Sequence, residues 1–180
     1  MLRPENAALI VIDVQGKLAQ LMQGKDALFE NLGKVIRGAQ ILELPIFWNE
    51  QLPEKLGPTI PEVAALLAPA QRPLAKATFS CCGNPAFLEA LQKAGRSQVL
   101  LAGIEAHVCV YQTCLELLEL QYEVHLVADA ISSRTTENRG IALERMRGAG
   151  AIVTSVEMAL FELLRVAEGP KFREMLKIIK

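Results

Sequence analysis

Ala8-Leu9-Ile10-Val11-Ile12-Asp13-Val14 is a continuous, largely β-branched apolar run broken near its end by a single carboxylate. A run with no alternating polar residue is the pattern of a strand buried on both faces, and such strands belong to parallel sheets covered by helices. Outward from it the pattern repeats. A helical stretch from about Asp26 to Leu44 leads to a strand from Pro45 to Asn49, an irregular segment, and a brief strand from Pro73 to Ala77. A helix opened by Asn84-Pro85 precedes the strand Gln98 to Ala102, and a helix from about His107 to Leu120 precedes the strand Glu123 to Ala128. A helix from Thr136 to Arg147, a strand from Ala151 to Thr154 and a last pair of helices complete the chain. Regular alternation of strands and helices predicts βαβ units and a parallel α/β/α sheet.

Local signals support several of these boundaries. Asn84 is suited to cap free N–H groups, with Pro85 in the first helical position where its missing N–H costs nothing. Thr154, followed three residues later by Glu157, fits a capping box. From Glu50 to Ala70, Pro53, Gly57, Pro58, Pro61 and Pro69 interrupt any regular pattern, and long loops after strands in such folds border the site.

The 180 residues suit one domain over 1–180, and 51% apolar content gives it a large core. No segment approaches the ~20 consecutive apolar residues of a membrane span. Nineteen basic residues nearly cancel twenty acidic ones, so no electrostatic footprint for nucleic acid is expected. The polar start Met1-Leu2-Arg3-Pro4-Glu5-Asn6-Ala7 lacks the layout of an export signal, which predicts a cytoplasmic protein. Cys81, Cys82, Cys109 and Cys114 form no Cys-x-x-Cys pair, and neither histidine lies at zinc-finger spacing. Free thiols are expected, with no metal and no cofactor.

Ligands of an open parallel sheet gather at the carboxyl ends of its strands. Asp13 ends the first strand, Lys76 ends the third, and Cys109 follows the fourth through Gly103-Ile104-Glu105-Ala106-His107-Val108. Each has a bland reading: a turn aspartate, a surface lysine, a small buried hydrophobe. Together they make a nucleophilic site. A free thiol ionises near ~8.5, and the first turn of a helix beside an ammonium lowers that value. An aspartate within reach takes the thiol proton and passes it to a leaving amine.

These residues carry a resemblance. Asp13-Val14-Gln15, Lys76 with Thr78-Phe79-Ser80, and Ala102-Gly103-Ile104-Glu105-Ala106-His107-Val108-Cys109-Val110 resemble the isochorismatase-like hydrolases, as do Asp129-Ala130, Arg134 and Glu137. The resemblance implies a three-layer α/β/α sandwich on a six-stranded parallel sheet, Rossmann-like in the order 3-2-1-4-5-6. It further implies a Cys109-Asp13-Lys76 triad, a cis peptide in the Ile104-Glu105 turn, an oxyanion hole from the backbone N–H groups of Glu105 and Cys109, and a homo-oligomer.

Nicotinamidases of this superfamily carry an Asp-x-His metal pair and a further histidine beyond the second strand. The corresponding Phe47 to Thr59 holds no histidine. Isochorismatases that cleave a vinyl ether lack the nucleophilic cysteine that Cys109 would supply. The chain therefore resembles a metal-independent branch acting on a small amide or related carbonyl.

Gln15, Phe79 and Tyr111 lie close to strand ends and are candidates for substrate contact. Cys81 and Cys82 are either packing residues or border the pocket. Cys114 is expected to be buried, and His107 and His125 to be structural. The apolar stretches Ala159 to Leu164 and Met175 to Ile179 offer interface surface. The rivals are a catalytically inactive binding or scaffold protein of the same fold, and a nucleotide-binding protein, for which no glycine-rich phosphate loop follows the first strand.

Overall fold

The computed structural model describes all residues, 1–180. Six parallel strands form one sheet: β1 (Ala7–Ile12), β2 (Ile46–Gln51), β3 (Leu74–Lys76), β4 (Gln98–Gly103), β5 (Glu123–Ile131) and β6 (Ile152–Thr154). Their order is β3-β2-β1-β4-β5-β6, so the chain reverses direction of travel across the sheet between β1 and β4. Every residue of β1 and of β4 is buried, which is why β1 reads as an unbroken apolar run and β4 as one after Gln98.

Nine helices accompany the sheet: α1 (Gly16–Gln20), α2 (Lys25–Ile41), α3 (Pro53–Leu56), α4 (Pro61–Leu67), α5 (Pro85–Ala94), α6 (Tyr111–Glu119), α7 (Thr136–Gly148), α8 (Val156–Leu164) and α9 (Gly169–Ile179). Two apolar cores sit on opposite faces of the sheet. One joins Leu9, Val11 and Leu100 to Leu32 and Ile36 of α2 and Leu160 of α8. The other joins Ile10, Ile12 and Leu101 to Phe87, Leu91, Cys114 and Leu117 of α5 and α6. Alternate residues of each strand feed opposite cores, as the twofold period of a strand requires.

Several expectations are corrected. β2 runs on to Gln51, which moves Glu50 and Gln51 out of the irregular segment and into the sheet. That segment holds α3 and α4, each started by a proline at its first position. β5 extends to Ile131 through a change of register after Leu101, so Asp129 and Ala130 belong to the strand. The expected capping box at Thr154 is displaced by one residue. Ser155 is the cap and accepts from the Met158 N–H, while Asp129 accepts the Val156 N–H at 2.8 Å. The apolar stretches expected at an interface are partly consumed in the core: Ala159, Leu160, Leu163 and Met175 are buried within the chain. Asn84 caps α5 as expected, accepting from the Ala86 N–H.

Candidate active site

The loops after β1 and β4 and the last residue of β3 bring Asp13, Cys109 and Lys76 to the carboxyl edge of the sheet. Asp13 follows β1 with φ at 53°, a left-handed conformation that aspartate tolerates better than most residues. Its N–H still pairs with the Asn49 carbonyl at 3.2 Å, and its carbonyl accepts from the Gln15 N–H at 2.8 Å. Gly103, the β4 residue opposite Ile12, has φ at 125°. A Cβ there would lie 2.1 Å from the Ile12 carbonyl oxygen, so only glycine lets the two strand ends approach this closely. The Ile104–Glu105 peptide that follows is cis.

Cys109 lies in a π-helical turn, Ala106–Val110, that leads into α6, rather than in the first turn of an α-helix. The turn is closed by the Val110 N–H donating to the Glu105 carbonyl at 3.2 Å, five residues back. Such single wide turns recur at functional sites because they re-aim one side chain without ending the helix. The Ala106 N–H donates to the Ser132 carbonyl, whereas the Glu105 N–H has no hydrogen-bond acceptor in the protein. The Glu105 carboxylate accepts from Arg134 Nε at 2.7 Å.

Lys76 and Asp13 form a buried ion pair, 2.6 Å from Nζ to Oδ2. The ammonium donates further to Gln51 Oε1 at 2.8 Å, to the Phe79 carbonyl at 2.9 Å and to the Thr78 carbonyl at 3.2 Å. Cys109 Sγ lies 3.9 Å from the same Gln51 oxygen. The second Asp13 oxygen, Oδ1, has no partner of ordinary hydrogen-bond length, although carboxylate and thiol are close enough to perturb each other.

The electrostatics bear on one expectation. Burial raises the Asp13 carboxyl above its ordinary value despite Lys76, whose charge and hydrogen bond pull it down. Burial, reinforced by the Asp13 charge, pushes the Cys109 thiol up to about 12, and Lys76 only partly offsets this. Burial thus works against the thiolate expected from a helix start beside an ammonium. Desolvation outweighs one shared cation because Lys76 is already committed to Asp13.

The candidates for substrate contact fare differently. Gln15 is fully buried and spends its amide on backbone: Nε2 donates to the Gly57 and Gln51 carbonyls, and Oε1 accepts from the Gln51 N–H at 2.6 Å. It clamps the loop after β2 to the loop after β1, with no polar atom left for a ligand. Phe79 is 54% exposed beside the site, its backbone carbonyl holding Lys76. Tyr111 is half-buried with Arg145 stacked over its ring at 4.7 Å. Cys81 and Cys114 are fully buried, and burial raises both thiols. His107 is held by Ser133 and His125 by Glu123.

Gln51 is the site residue that sequence reasoning missed. Its signal was weak: the last of the three polar residues Asn49-Glu50-Gln51 before Leu52-Pro53, in a stretch read as loop. Beside it, Glu50 is buried and accepts from both the N–H and the hydroxyl of Thr59, which also accepts from Trp48 Nε1 at 2.8 Å. No group of three or more His, Cys, Asp or Glu side chains is arranged to hold a metal ion.

The model of the isochorismatase domain matches residues 7–158. The chain belongs to the isochorismatase family. Isochorismatase domain-containing protein 2A of Mus musculus is 40% identical across 98% of this chain and 84% of its own length. The secreted isochorismatase effector Isc1 of Phytophthora sojae is 39% identical across 98% of this chain and 86% of its own length. Among solved structures, the MAR1 ribonuclease of Caenorhabditis elegans superposes with a TM-score of 0.93 at 39% identity, covering 99% of this chain and 91% of that one. YcaC of Pseudomonas aeruginosa, which carries covalent acrylamide, superposes at 0.92 with 26% identity, covering 98% and 90%. Isochorismatase family membership places the six-stranded sheet on a hydrolase fold. Within that fold, Asp13, Lys76 and Cys109 occupy three strand ends on both sides of the β1/β4 reversal, where such sheets open a crevice.

Proposed function

We propose that this chain is a cysteine hydrolase that cleaves the C–N bond of a small amide or related carbonyl compound, with residues 1–180 acting as one unit. The observation that carries the reading is the buried Lys76–Asp13 pair sharing Gln51 with Cys109. A buried ion pair is costly to desolvate, and one set beside a thiol at a sheet opening marks a working site.

The chemistry begins with Cys109 as a thiol. As sulfur adds to the substrate carbonyl, its proton passes to Asp13, whose free Oδ1 is the acceptor. The raised carboxyl is suited to this, because the conjugate base of a stronger acid would be too weak to take the thiol proton. The backbone N–H groups of Glu105 and Cys109 receive the oxyanion. Loss of one such donor typically costs about 10²–10³ in rate. Collapse of the adduct breaks the C–N bond, the leaving nitrogen takes the proton from Asp13, and a thioester remains on Cys109. Water, giving a proton to Asp13, adds to the thioester; the acid leaves and Asp13 returns the proton to sulfur. Lys76 fixes the carboxylate throughout.

The covalent acrylamide of the Pseudomonas aeruginosa relative is consistent with a nucleophile in this fold, since acrylamide is an electrophile that thiolates attack. Another relative is described as a ribonuclease, but the net charge of −1 and the enclosed triad favour a small neutral or weakly charged substrate here. No helix is long and apolar enough to cross a membrane. We further propose a cytoplasmic homo-oligomer: all four thiols are free, and Ile152 and Val153 lie exposed on the open edge strand β6.

The test is hydrolysis of small amides, carbamoyl compounds, activated esters and a short RNA by the wild type and Cys109→Ala. Turnover of an amide or carbamoyl compound that the substitution abolishes is expected. Turnover that survives Cys109→Ala, or cleavage of RNA alone, overturns the assignment.

A further inference from the structure

Outside the proposed triad, Gln51 is a side chain that touches two of its members, and its orientation is decided by its neighbours. The Ala77 carbonyl can only accept and the Lys76 ammonium can only donate. The amide therefore turns Nε2 to Ala77 at 2.8 Å and Oε1 to Lys76 at 2.8 Å, which leaves that oxygen facing Cys109 Sγ at 3.9 Å. The backbone is fixed as well, since the Gln51 N–H donates to Gln15 Oε1 and Gln51 pairs with Lys76 in the register of β2 and β3.

An ammonium has three protons. Its three shortest bonds, to Asp13, Gln51 and Phe79, use all of them. While Gln51 holds its share, no ammonium proton is left to point at sulfur. The thiol instead faces the lone pairs of a neutral oxygen, which accept from S–H and repel a thiolate.

We propose that Gln51 is a positioning residue that turns the Lys76 ammonium toward Asp13 and keeps Cys109 protonated until substrate arrives. The inference rests on the reading of Cys109 as the nucleophile, and it gives Gln51 a role separate from binding substrate. Asp13, Lys76 and Glu105 are the charged groups that act on the sulfur, Glu50 acts on Asp13, and Gln51 is the neutral group that sets how much of the Lys76 charge the sulfur receives.

The experiment compares iodoacetamide alkylation of Cys109, followed by peptide mass spectrometry between pH 6 and 9, in wild type, Gln51→Glu and Gln51→Met. Well below its pKa a thiol reacts in proportion to its thiolate fraction, so one pH unit of displacement appears as about a tenfold change in rate. Gln51→Glu places a negative charge against sulfur and is expected to slow alkylation about tenfold. Gln51→Met removes the oxygen and frees one ammonium proton for sulfur, and is expected to speed it by a similar factor. A merely structural role moves both variants the same way, through loosening. Rates within twofold of wild type in both variants, uniform inertness included, or changes of the same sign overturn the assignment. Opposed alkylation rates with no hydrolysis of any compound in the panel would instead remove the hydrolase reading and leave the role of Gln51 standing.

Discussion

Lys76 Nζ lies 2.6 Å from Asp13 Oδ2 across 63 residues of sequence, with both side chains sealed from solvent. The pair exists because β3 and β1 flank β2 in one parallel sheet, so their carboxyl ends open on the same edge. Removing one partner leaves the other charge buried and uncompensated. Lys76→Met is expected to cost about 3–5 kcal/mol of stability at neutral pH. The deficit should shrink in acid as Asp13 takes up a proton, which urea unfolding at pH 7 and pH 5 would read. A variant as stable as wild type at pH 7 would mean the pair is not closed in solution.

Asp13→Asn keeps the shape of the side chain and removes the proton acceptor. General acid–base groups contribute about 10²–10⁴ in rate, and a loss in that range is expected in kcat with little change in KM. Because burial holds the carboxyl above its ordinary value, the acid limb of the wild-type kcat/KM profile should lie above the usual carboxylate range. An unchanged kcat in the variant would take Asp13 out of the mechanism.

The buried thiols make the fold sensitive to alkali. Cys109 and Cys114 are each raised from 9.0 to about 12, chiefly by burial. The folded state thus keeps protons that the unfolded chain gives up first. This contribution is fully present below pH 9 and is lost as pH climbs toward 12, at up to about 1.4 kcal/mol per pH unit for each thiol. Cys114→Ala should flatten the stability slope between pH 9 and 10.5 by one thiol's share, whatever it does to absolute stability. Equal slopes would show that Cys114 ionises alike in both states.

Gly103→Ala tests the approach of β4 to β1. The new Cβ meets the Ile12 carbonyl at 2.1 Å, in a conformation that L-residues avoid. Strain of this kind costs about 1–3 kcal/mol even before the backbone moves. A destabilisation of at least that size is expected in thermal melts, with loss of Cys109 reactivity as Asp13 and the Glu105 turn are displaced.

Thr59→Val removes a hydroxyl that accepts from Trp48 and donates to Glu50. Two buried polar groups lose a partner, a cost of about 1–3 kcal/mol each. The segment between β2 and α4 should become the first site of limited proteolysis. Wild-type protease resistance would mean Gln15 alone holds the loop.

What could be read without coordinates was local or periodic. The β1 run announced a strand covered on both faces, Asn84-Pro85 announced α5, and Asp13, Lys76 and Cys109 stood at strand ends because hydrophobic runs stop there. The misplaced boundaries have one cause: tertiary partners overrode local pattern. Gln51 was read as loop because it follows polar Asn49-Glu50 and precedes Pro53 closely, yet pairing with Lys76 holds it in the sheet. Thr154 looked like the better cap, but it belongs to β6 and leaves Ser155 to cap α8.

By itself the sequence determined the α/β class, the order of its elements and which three side chains stand at strand ends, since chain periodicity and residue type carry that information. Tertiary structure decided that Lys76 spends its charge on Asp13 and Gln51, that Gln15 clamps loops, and that burial raises the Cys109 thiol. Those outcomes depend on burial and on how a few donors are shared among distant acceptors, quantities that exist only once the chain has closed around them.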